Sequence, residues 1–524
     1  MQKVPASIFN DVIGPVMRGP SSSHVAGAAR IGAIVKDALG EKPVKISVDF
    51  DVNGSLAASH DGHGTDMGFI CGILGKPITD ADVHHYARLA EEAGVEVLFN
   101  VLDYGAEHPN NYRMELTGAS GRRQLWEGVS VGGGMIEMQR YNGFSLAIAG
   151  DYYEVLAEAG ASARAMMDEA IAALAVSPDQ IDISEKDDKI LYDLKYAAAP
   201  DRSCLREKLG AAGAEEPLFI APVLPVLSYG GCSVPFTKAA QMLKQNDAAL
   251  RMWELAASYE AARGNISTET VLAKMEEIVG IMEGALNNGL KGTSFEDRIL
   301  GPQAFLIDKA KDSGSLIPCD LLNCAIKSVT AIMETKSSMG VIVAAPTAGS
   351  CGCLPGTLLG VGLALGKTRE EITKAMLAAG LIGIFIANSA TFAAEVGGCQ
   401  VECGAGSGMA AAGLVELMGG NAAQCVDAAS MALQNITGLA CDPVANRVEV
   451  PCLGKNVMGA SNAIASANMA LAGYDKVIPL DETIAAMYQI GLQLPLDLRC
   501  TFGGLGKTPT ARRIYKEFKA KETH

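Results

Sequence analysis

The 524-residue sequence lacks any lysine- or arginine-rich block longer than a few residues, and its formal net charge is −16. Because binding to a nucleic-acid backbone depends on clustered cations, this absence argues against nucleic acid as a partner. The opening stretch, MQKVPASIFNDVIG, also lacks the continuous apolar core and the small-residue cleavage site of a secretory signal. We therefore expect a cytoplasmic protein.

The sequence contains 13 cysteines but lacks the compact CxxC spacing of electron-transfer clusters. In a small secreted chain, so many cysteines would indicate disulfides, whereas a large chain without a signal favours reduced thiols or metal ligation. Hydrophobic residues make up 49% of the chain, which is enough to bury substantial cores. Its length predicts two or three domains.

One uncharged run, residues 375–394, is long enough to cross a bilayer. Gly380, Gly383, Asn388 and Ser389 interrupt it, and large aliphatic residues are scarce outside its middle. We therefore expect a buried helix in a helical core, and no membrane partner.

The first 150 residues alternate between helical and strand patterns, which predicts a small α/β domain over residues 1–150. Serines at positions 21–23 offer N-cap hydroxyls to a helix over residues 24–39, and Gly40 ends it. A second helix is predicted over residues 80–93, and strands are predicted over residues 45–50, 95–102, 112–117 and 124–131.

The pattern changes twice after residue 150. Residues 151–236 are predicted as a helical and extended connector: an alanine-rich helix at 153–174, a charged loop, and a proline-rich stretch at 217–235. From residue 237 to 524 nearly every segment has helical periodicity. The predicted fold class is α+β, with a small α/β N-terminal domain followed by a mainly all-helical C-terminal domain.

Short motifs rich in serine, histidine, glycine and cysteine recur along both parts of the chain. In order, they are GPSSSH at 19–24, GHGTD at 62–66, HPN at 108–110, SVGGG at 130–134, APTAGSCG at 345–352, GGCQ at 397–400 and CDPVANRVEVPC at 441–452. In order and coverage they resemble the iron-sulfur-dependent L-serine dehydratases, or L-serine ammonia-lyases, in a single-chain form with fused beta and alpha parts. The resemblance spans roughly residues 5–150 and 240–515.

The resemblance implies a cofactor and its ligands. In the family, the positions of Cys399, Cys441 and Cys452 hold a 4Fe-4S cluster with one iron left open for the substrate. The intervals of 42 and 11 residues between these cysteines would be weak support on their own.

Other cysteines compete for these roles. Cys351, Cys353 and Cys403 lie close in sequence and are interpreted as neighbouring or core cysteines. Some relatives also carry a C-terminal cysteine that caps the open iron. The last cysteine here is Cys500, so we expect that device to be missing, with water or another group at the fourth position.

The resemblance also implies roles for polar side chains. His63 matches the base that removes the Cα proton, and the alternative is a helix-capping histidine bonded to Asp66. Hydroxyls and N–H groups at the start of a helix form a carboxylate cradle. The predicted substrate-binding residues are Ser21, Ser22, Ser23, His24, His108, Asn110, Thr347 and Gly349, with plain turn chemistry as the alternative for His108 and Asn110.

The implied reaction converts L-serine to pyruvate and ammonia, with the open iron as a Lewis acid and a histidine as the base. A homodimer is the expected assembly. One alternative is a related lyase acting on threonine or cysteine, since Val25 and Asn446 depart from the usual family residues. The other is an amino-acid sensor with a structural cluster. Pyridoxal phosphate remains a weaker cofactor hypothesis, because no lysine lies in a recognisable Schiff-base context.

Overall fold

The computed structural model describes residues 4–522 and has two large regions joined by a smaller unit. Sheets and helices alternate in the N-terminal region, and the C-terminal region is mainly helical. The predicted α+β fold class is therefore confirmed.

A six-stranded sheet forms the base of the N-terminal region. Its first two strands in spatial order are parallel and all other neighbours are antiparallel. In spatial order the strands are Glu96–Leu102, Pro43–Asp51, Asn111–Gly118, Arg123–Gly132, Met135–Tyr141 and Phe144–Ile148. The four predicted strands are confirmed, and they alternate between buried and more exposed positions as a half-buried sheet should.

Two helices of this region, Gly27–Leu39 and Thr65–Leu74, cross in close contact. Glycines occupy the crossing: a Cβ at Gly32 would lie 2.5 Å from the Phe69 carbonyl oxygen. The remaining helices of the region are Leu56–Ser59 and Tyr86–Ala93. The first predicted helix begins with a π turn, Ser22–Ala26, before Gly27–Leu39.

The unit that follows corrects the connector prediction. It has the chain order strand, helix, strand, strand, helix, strand, formed by Tyr153–Gly160, Arg164–Ala172, Gln180–Lys186, Lys189–Tyr196, Arg202–Ala211 and Leu218–Ile220. Its four strands are antiparallel, in the spatial order fourth, first, third, second. This is the arrangement of ferredoxin-like folds.

The strands of this unit were predicted as a helix and a loop for a physical reason. The strand Tyr153–Gly160 is buried on both faces, with Val155 against the unit's own helices and Leu156 against the six-stranded sheet. Such a strand shows no alternation and reads as a helix. The edge strand Gln180–Lys186 and the turn after it contain Asp182, Glu185, Lys186, Asp187 and Asp188, and so many charges in sequence read as a loop.

The C-terminal region packs around the helix Arg369–Ser389. This helix is long and apolar enough to cross a membrane, but 78% of its most apolar window is buried within the protein, as expected for a core helix. The other helices are Ala239–Gln245, Met252–Gly264, Thr268–Leu290, Phe305–Asp312, Asp320–Ser337, Cys353–Ala364, Ala394–Gly397, Cys403–Leu417, Ala422–Ile436, Cys452–Leu471, Leu480–Gln493 and Pro509–Glu522.

Residues 6–13 are mostly buried in this helical region. Ile8 and Val12 pack against Gly380 and Gly383 of the central helix. Further on, Val16–Met17 pairs antiparallel with Ile342–Val343. The N-terminal segment, residues 4–18, therefore fixes the position of the α/β region on the helices.

The carboxylate of Glu260 anchors this segment. It accepts hydrogen bonds from the Ser7 hydroxyl at 2.5 Å and the Ile8 backbone N–H at 2.7 Å. Burial raises the pKa of Glu260 to about 7, although both hydrogen bonds oppose this shift.

We predict that Glu260→Gln changes the pH dependence of stability. Between pH 4.5 and about 7 the folded chain keeps a proton that the unfolded chain has lost, so the wild type loses stability as pH rises through this window. Glutamine keeps an acceptor for Ile8 but does not titrate. The unfolding midpoint of the variant, relative to wild type, should rise by about 2 °C or more from pH 5 to pH 8.

Differential scanning calorimetry at the two pH values measures this change. Glu276→Gln, at an exposed position of the next helix, is the matched control and should show no such rise. An equal difference between Glu260→Gln and wild type at both pH values would contradict the prediction.

Candidate functional site

Two motif loops meet because each directly follows a paired strand. The loop with Ser21–His24 follows Val16–Met17, and the loop with Thr347 and Gly349 follows Ile342–Val343. The Ala348 N–H donates to the Ser22 hydroxyl at 3.2 Å. The predicted binding residues on both loops are thus brought together and buried.

The structure shows which serine groups remain available to a ligand. The Ser21 hydroxyl lies 2.9 Å from Nδ1 of His24, and the Ser23 carbonyl accepts from the Ser130 hydroxyl at 2.9 Å. Nε2 of His24 lies 2.7 Å from the Ser59 hydroxyl. Ser21 and His24 therefore hold each other in place, and Ser22 contacts the loop that carries Thr347 and Gly349.

His63 lies beside His24, with its ring centroid 4.7 Å away in an edge-to-face arrangement. It is 1% exposed, and its Nε2 has no hydrogen-bond partner within residues 4–522. Burial, and then the charges of Arg447 and Lys336, lower the pKa of His63 to about 3. The ring is therefore neutral at physiological pH and has an unused proton acceptor.

The capping alternative for His63 is wrong. Asp66 bonds to His60 instead, with 2.8 Å between Nδ1 and Oδ1. Next to His63, Asn446 packs against Gly62, so this departure from the usual family residue lies at the site. Val25 packs in the core against Gly19 and Gly64.

Several buried polar groups near His63 also have no partner in the described part of the chain. By strict hydrogen-bond geometry they are Oε2 of Glu395, both side-chain amide atoms of Asn110, the Tyr112 hydroxyl and the Thr65 hydroxyl. Within this set, Asn110 is the neighbour of Glu395, and Thr65 is the neighbour of Tyr112. Oε1 of Glu395 lies 3.7 Å from Nδ1 of His24, and burial raises the pKa of Glu395. Since buried polar groups normally have partners, this cluster indicates a ligand site.

His108 has a different position from Asn110. Its Nδ1 accepts from the Asn110 backbone N–H at 3.1 Å, which is the turn chemistry given as the alternative. The side chain is only partly buried. His108 therefore supports the loop that carries Asn110.

The three predicted cysteine ligands are buried, and their turns converge next to this cluster. Cys399 is the first residue of the 3₁₀ turn Cys399–Val401, and Cys452 is the first residue of the helix Cys452–Leu471. The backbone of Cys441 pairs with that of Arg499 in an isolated β-bridge. Burial, and then the Cys441 thiol, raise the pKa of Cys452. A hydrogen bond with Cys403 lowers the pKa of Cys399 to about 7.

The three cysteines supply the thiolate ligand type that iron-sulfur clusters use. No group of three or more His, Cys, Asp or Glu side chains in the described ranges is arranged to bind one metal ion. The thiolates of a 4Fe-4S cluster bind different irons and therefore stand further apart. The ammonium of Lys455, which donates to Asp442 at 2.7 Å, offsets negative charge near Cys399 and Cys441.

The rival cysteines point into the protein. Cys351 contacts the Met333 sulfur at 3.9 Å, and Cys353 contacts the Cys403 carbonyl oxygen at 3.8 Å. Cys403 packs against Cys399. Their interpretation as neighbouring or core cysteines stays a prediction.

Four residues of the site were missed in the sequence. Lys336 is 1% exposed and donates to the Val448 carbonyl, and Glu402 accepts from the Thr347 hydroxyl at 2.7 Å. Sγ of Cys500 lies 3.9 Å from Nδ1 of His63 and beside Cys441. The fourth is Glu395. The acidic residues flanking Cys399 in EVGGCQVEC were a usable signal, whereas nothing in the sequence marked Lys336.

Comparisons with known proteins match both parts of the chain. The family model described as "Serine dehydratase beta chain" matches residues 11–141, and "Serine dehydratase alpha chain" matches residues 246–505. The probable L-serine dehydratase alpha chain of Bacillus subtilis (strain 168) is 43% identical over 250 residues, covering 48% of this chain and 83% of its own length.

Two further relatives show how the parts are arranged. The probable L-serine dehydratase beta chain of Bacillus subtilis (strain 168) is 41% identical over 150 residues, covering 29% of this chain and 66% of the relative. L-serine dehydratase TdcG of Escherichia coli (strain K12) is 26% identical over 497 residues, covering 90% of this chain and 92% of the relative. The chain therefore belongs to the L-serine dehydratase family, with its beta-like and alpha-like regions fused in one polypeptide.

Proposed function

We propose that this lyase converts L-serine to pyruvate and ammonia in the cleft between His63 and the three cysteine turns. The observation that carries the proposal is the group of buried, unpartnered polar atoms on His63, Asn110 and Glu395 beside three buried thiols. A small polar substrate would supply the missing hydrogen bonds. We further propose a cytoplasmic enzyme that assembles as a homodimer.

Cys399, Cys441 and Cys452 would hold a 4Fe-4S cluster with three protein ligands. When bound, such a cluster supplies a Lewis acid for the serine hydroxyl. The chain prepares the site electrostatically, since Lys336 and Lys455 place two ammonium groups near the thiols. Cys500 is a further sulfur at the same position, beside both Cys441 and His63.

The substrate's ionic groups have matching partners in the cleft. The α-ammonium is assigned to Glu395, whose Oε2 lacks a partner in the described chain. The carboxylate is assigned to Ser22, Ser23 and the loop of Thr347 and Gly349, which lie at the start of short helical turns. Lys336 adds positive charge from the side of His63.

His63 would accept the Cα proton at Nε2. Its neutral state and free Nε2 give it an unoccupied proton acceptor, which a base must have. Asn446 and Arg447 hold the loop that carries it, through contacts with Gly62. After loss of the hydroxyl, the aminoacrylate product hydrolyses to pyruvate and ammonia.

We predict that His63→Gln lowers kcat for pyruvate release from L-serine by roughly 10²- to 10⁴-fold, because the proton acceptor is lost. Iron content after anaerobic reconstitution should stay at the wild-type level, since His63 is not a proposed ligand. His84→Gln, at an exposed histidine 21 positions after His63, is the control and should keep wild-type kcat. A kcat within threefold of wild type for His63→Gln would rule out its role as the base.

We predict that Cys441→Ala loses both bound iron and pyruvate release, because one of three thiolate ligands is removed. Iron content and the visible absorbance of the anaerobically reconstituted protein measure the first loss, and a coupled pyruvate assay the second. The control is Cys425→Ala, which removes a buried thiol from the helix Ala422–Ile436. Full iron content and activity in Cys441→Ala would exclude this cysteine as a ligand.

We predict that Glu395→Gln raises KM for L-serine roughly 10- to 100-fold, because a charged hydrogen bond to the ammonium is lost. Steady-state kinetics across L-serine concentrations measure this change. Glu416→Gln is the matched control: this carboxylate is also buried, but it pairs with Arg251. Its KM should equal that of wild type, and an equal rise in both variants would refute a specific role for Glu395.

A further inference from the structure

The thiol of Cys500 lies between the proposed base and one of the proposed cluster ligands. Its Sγ is 3.9 Å from Nδ1 of His63, and the thiol of Cys441 is its hydrogen-bonding neighbour on the other side. Cys500 is only 7% exposed. His63 and Cys441 have roles in the proposed reaction, whereas Cys500 has none.

The backbone of Cys500 is tied to both regions of the protein. Its N–H donates to the Cys441 carbonyl at 2.9 Å, and the Cys441 N–H donates to the Leu498 carbonyl at 2.8 Å. The Cys500 carbonyl accepts from the hydroxyl of Ser55, in the α/β region, at 3.4 Å. These hydrogen bonds place the thiol where the α/β region meets the helical region.

Cys500 also has a strained backbone conformation. Its φ of 61° lies in the left-handed region, which is unfavourable for residues other than glycine. Such strain persists where the surrounding structure enforces it, and it is frequent at active sites. Glycine would remove the strain if no side chain were needed at position 500. The presence of a cysteine there indicates that the thiol has a function.

The two ring nitrogens of His63 have different surroundings. Nε2 is buried and has no hydrogen-bond partner within residues 4–522, whereas Nδ1 contacts the Cys500 sulfur. A neutral imidazole has one N–H and one acceptor nitrogen. The ring can therefore carry its proton on Nδ1 or on Nε2.

These surroundings favour the proton on Nδ1. A proton on Nε2 would form a buried N–H without an acceptor, whereas a proton on Nδ1 can be donated to the Cys500 sulfur. The hydrogen bond made by one ring nitrogen of a histidine decides which nitrogen is protonated. Only a ring protonated on Nδ1 leaves the Nε2 lone pair available for the Cα proton of L-serine.

Other neighbours of His63 cannot accept the Nδ1 proton. Arg447 and Lys336 are its charged neighbours, and both side chains are donors without acceptor atoms. The ring of His24 meets His63 edge to face, and its two nitrogens lie at hydrogen-bonding distance from the hydroxyls of Ser21 and Ser59. Among the described residues, the acceptor for Nδ1 is therefore Cys500.

The contact with Cys441 fixes the direction of the Cys500 S–H. A cysteine that binds a metal does so as a thiolate and has no proton to donate. With Cys441 as a ligand, the Cys500 S–H is therefore the donor between the two sulfurs, and its lone pairs remain for His63. Hydrogen bonds to ligand sulfurs are one of the means by which proteins tune iron-sulfur clusters.

We propose that Cys500 is a positioning residue for the base: its sulfur accepts the Nδ1–H of His63, which keeps Nε2 free for the Cα proton, and its S–H donates to Cys441. A third group that orients the base is a general feature of such sites. A positively charged ring is a stronger donor, so the contact with Cys500 strengthens when Nε2 takes the proton. The assignment of the proton to Nδ1 stands without the proposed function, and the effect on catalysis rests on it.

Nitrogen-15 NMR of the full chain, labelled at histidine, shows which nitrogen of His63 is protonated. The spectra are recorded before iron is added, because unpaired electrons would broaden the signals, and His63→Gln identifies the signals of His63. We expect a protonated Nδ1 in wild type and in Cys500→Ser, which keeps a donor and an acceptor. In Cys500→Ala the proton should move to Nε2, the form that free histidine prefers in water.

Cys425→Ala is the matched control for this measurement. It removes a buried thiol whose charged neighbours are Glu416 and Arg251, and it should leave Nδ1 of His63 protonated. A wild-type ring protonated on Nε2 would overturn the proposal. The same protonated nitrogen in wild type and in Cys500→Ala would also overturn it.

Steady-state kinetics of the anaerobically reconstituted chain test the effect on catalysis. Cys500→Ala should lower kcat for pyruvate release roughly 10- to 100-fold, as expected for the loss of a group that orients a catalytic side chain. KM for L-serine and iron content should stay at the wild-type level, because no proposed substrate-binding group or cluster ligand is removed. Cys500→Ser should recover most of the lost kcat, and Cys425→Ala should keep wild-type kcat.

The kinetic outcomes separate positioning from other roles. An unchanged kcat in Cys500→Ala would refute the role in catalysis. Loss of iron from this variant would make Cys500 a cluster ligand, and a raised KM in both Cys500 variants would make its role structural; either result would overturn the proposal. If wild type releases no pyruvate, the proposed function fails, and the NMR result still decides whether Cys500 holds Nδ1 of His63.

Discussion

The antiparallel pairing of Val16–Met17 with Ile342–Val343 is the contact on which the rest of the site depends. It joins stretches that are more than 300 residues apart in the sequence, and each strand runs directly into a motif loop. Because this register is fixed, Ser22 reaches Ala348, and the helix that follows Ser22 carries His24 toward Glu395. Neither motif forms a binding surface alone, and the sheet and the helices meet at this seam.

The sequence predicted the side chains that could carry out the reaction, but it did not predict the buried charges around them. His63, the serines and the cysteines lie in motifs whose residue types carry chemistry, and they stay predictions until tested. The roles of Glu395 and Lys336 depend on which distant segments fold around them, since both are charged residues made unusual only by complete burial. Because Cys500 is not at the C-terminus, the sequence predicted that no cysteine would cap the open iron. In the fold, Cys500 lies beside His63, which is 437 positions away in the sequence.

The fold was predicted best where one face of each element is exposed. Strands such as Asn111–Gly118 alternate clearly, and the helices of the C-terminal region show their apolar faces, so both regions were assigned correctly. The ferredoxin-like unit was missed because Tyr153–Gly160 is buried on both sides, between the unit's own helices and the six-stranded sheet. Such a strand lacks the alternation of apolar and polar residues that identifies a strand in a sequence. It can be recognised only once the strands that pair with it are known. The same burial that hid the strand places the unit against a cavity shared with the helical region.

The buried position of the N-terminal segment has a consequence for synthesis. Ile8 leaves the ribosome before its packing partner Gly380, which follows 372 positions later. At a translation rate of about 5–20 residues per second, Gly380 is synthesised roughly 20–75 s after Ile8. During that interval Ile8, Phe9, Val12 and Ile13 are exposed and prone to aggregation. This delay is a consequence of having Ile8 and Gly380 in one fused polypeptide.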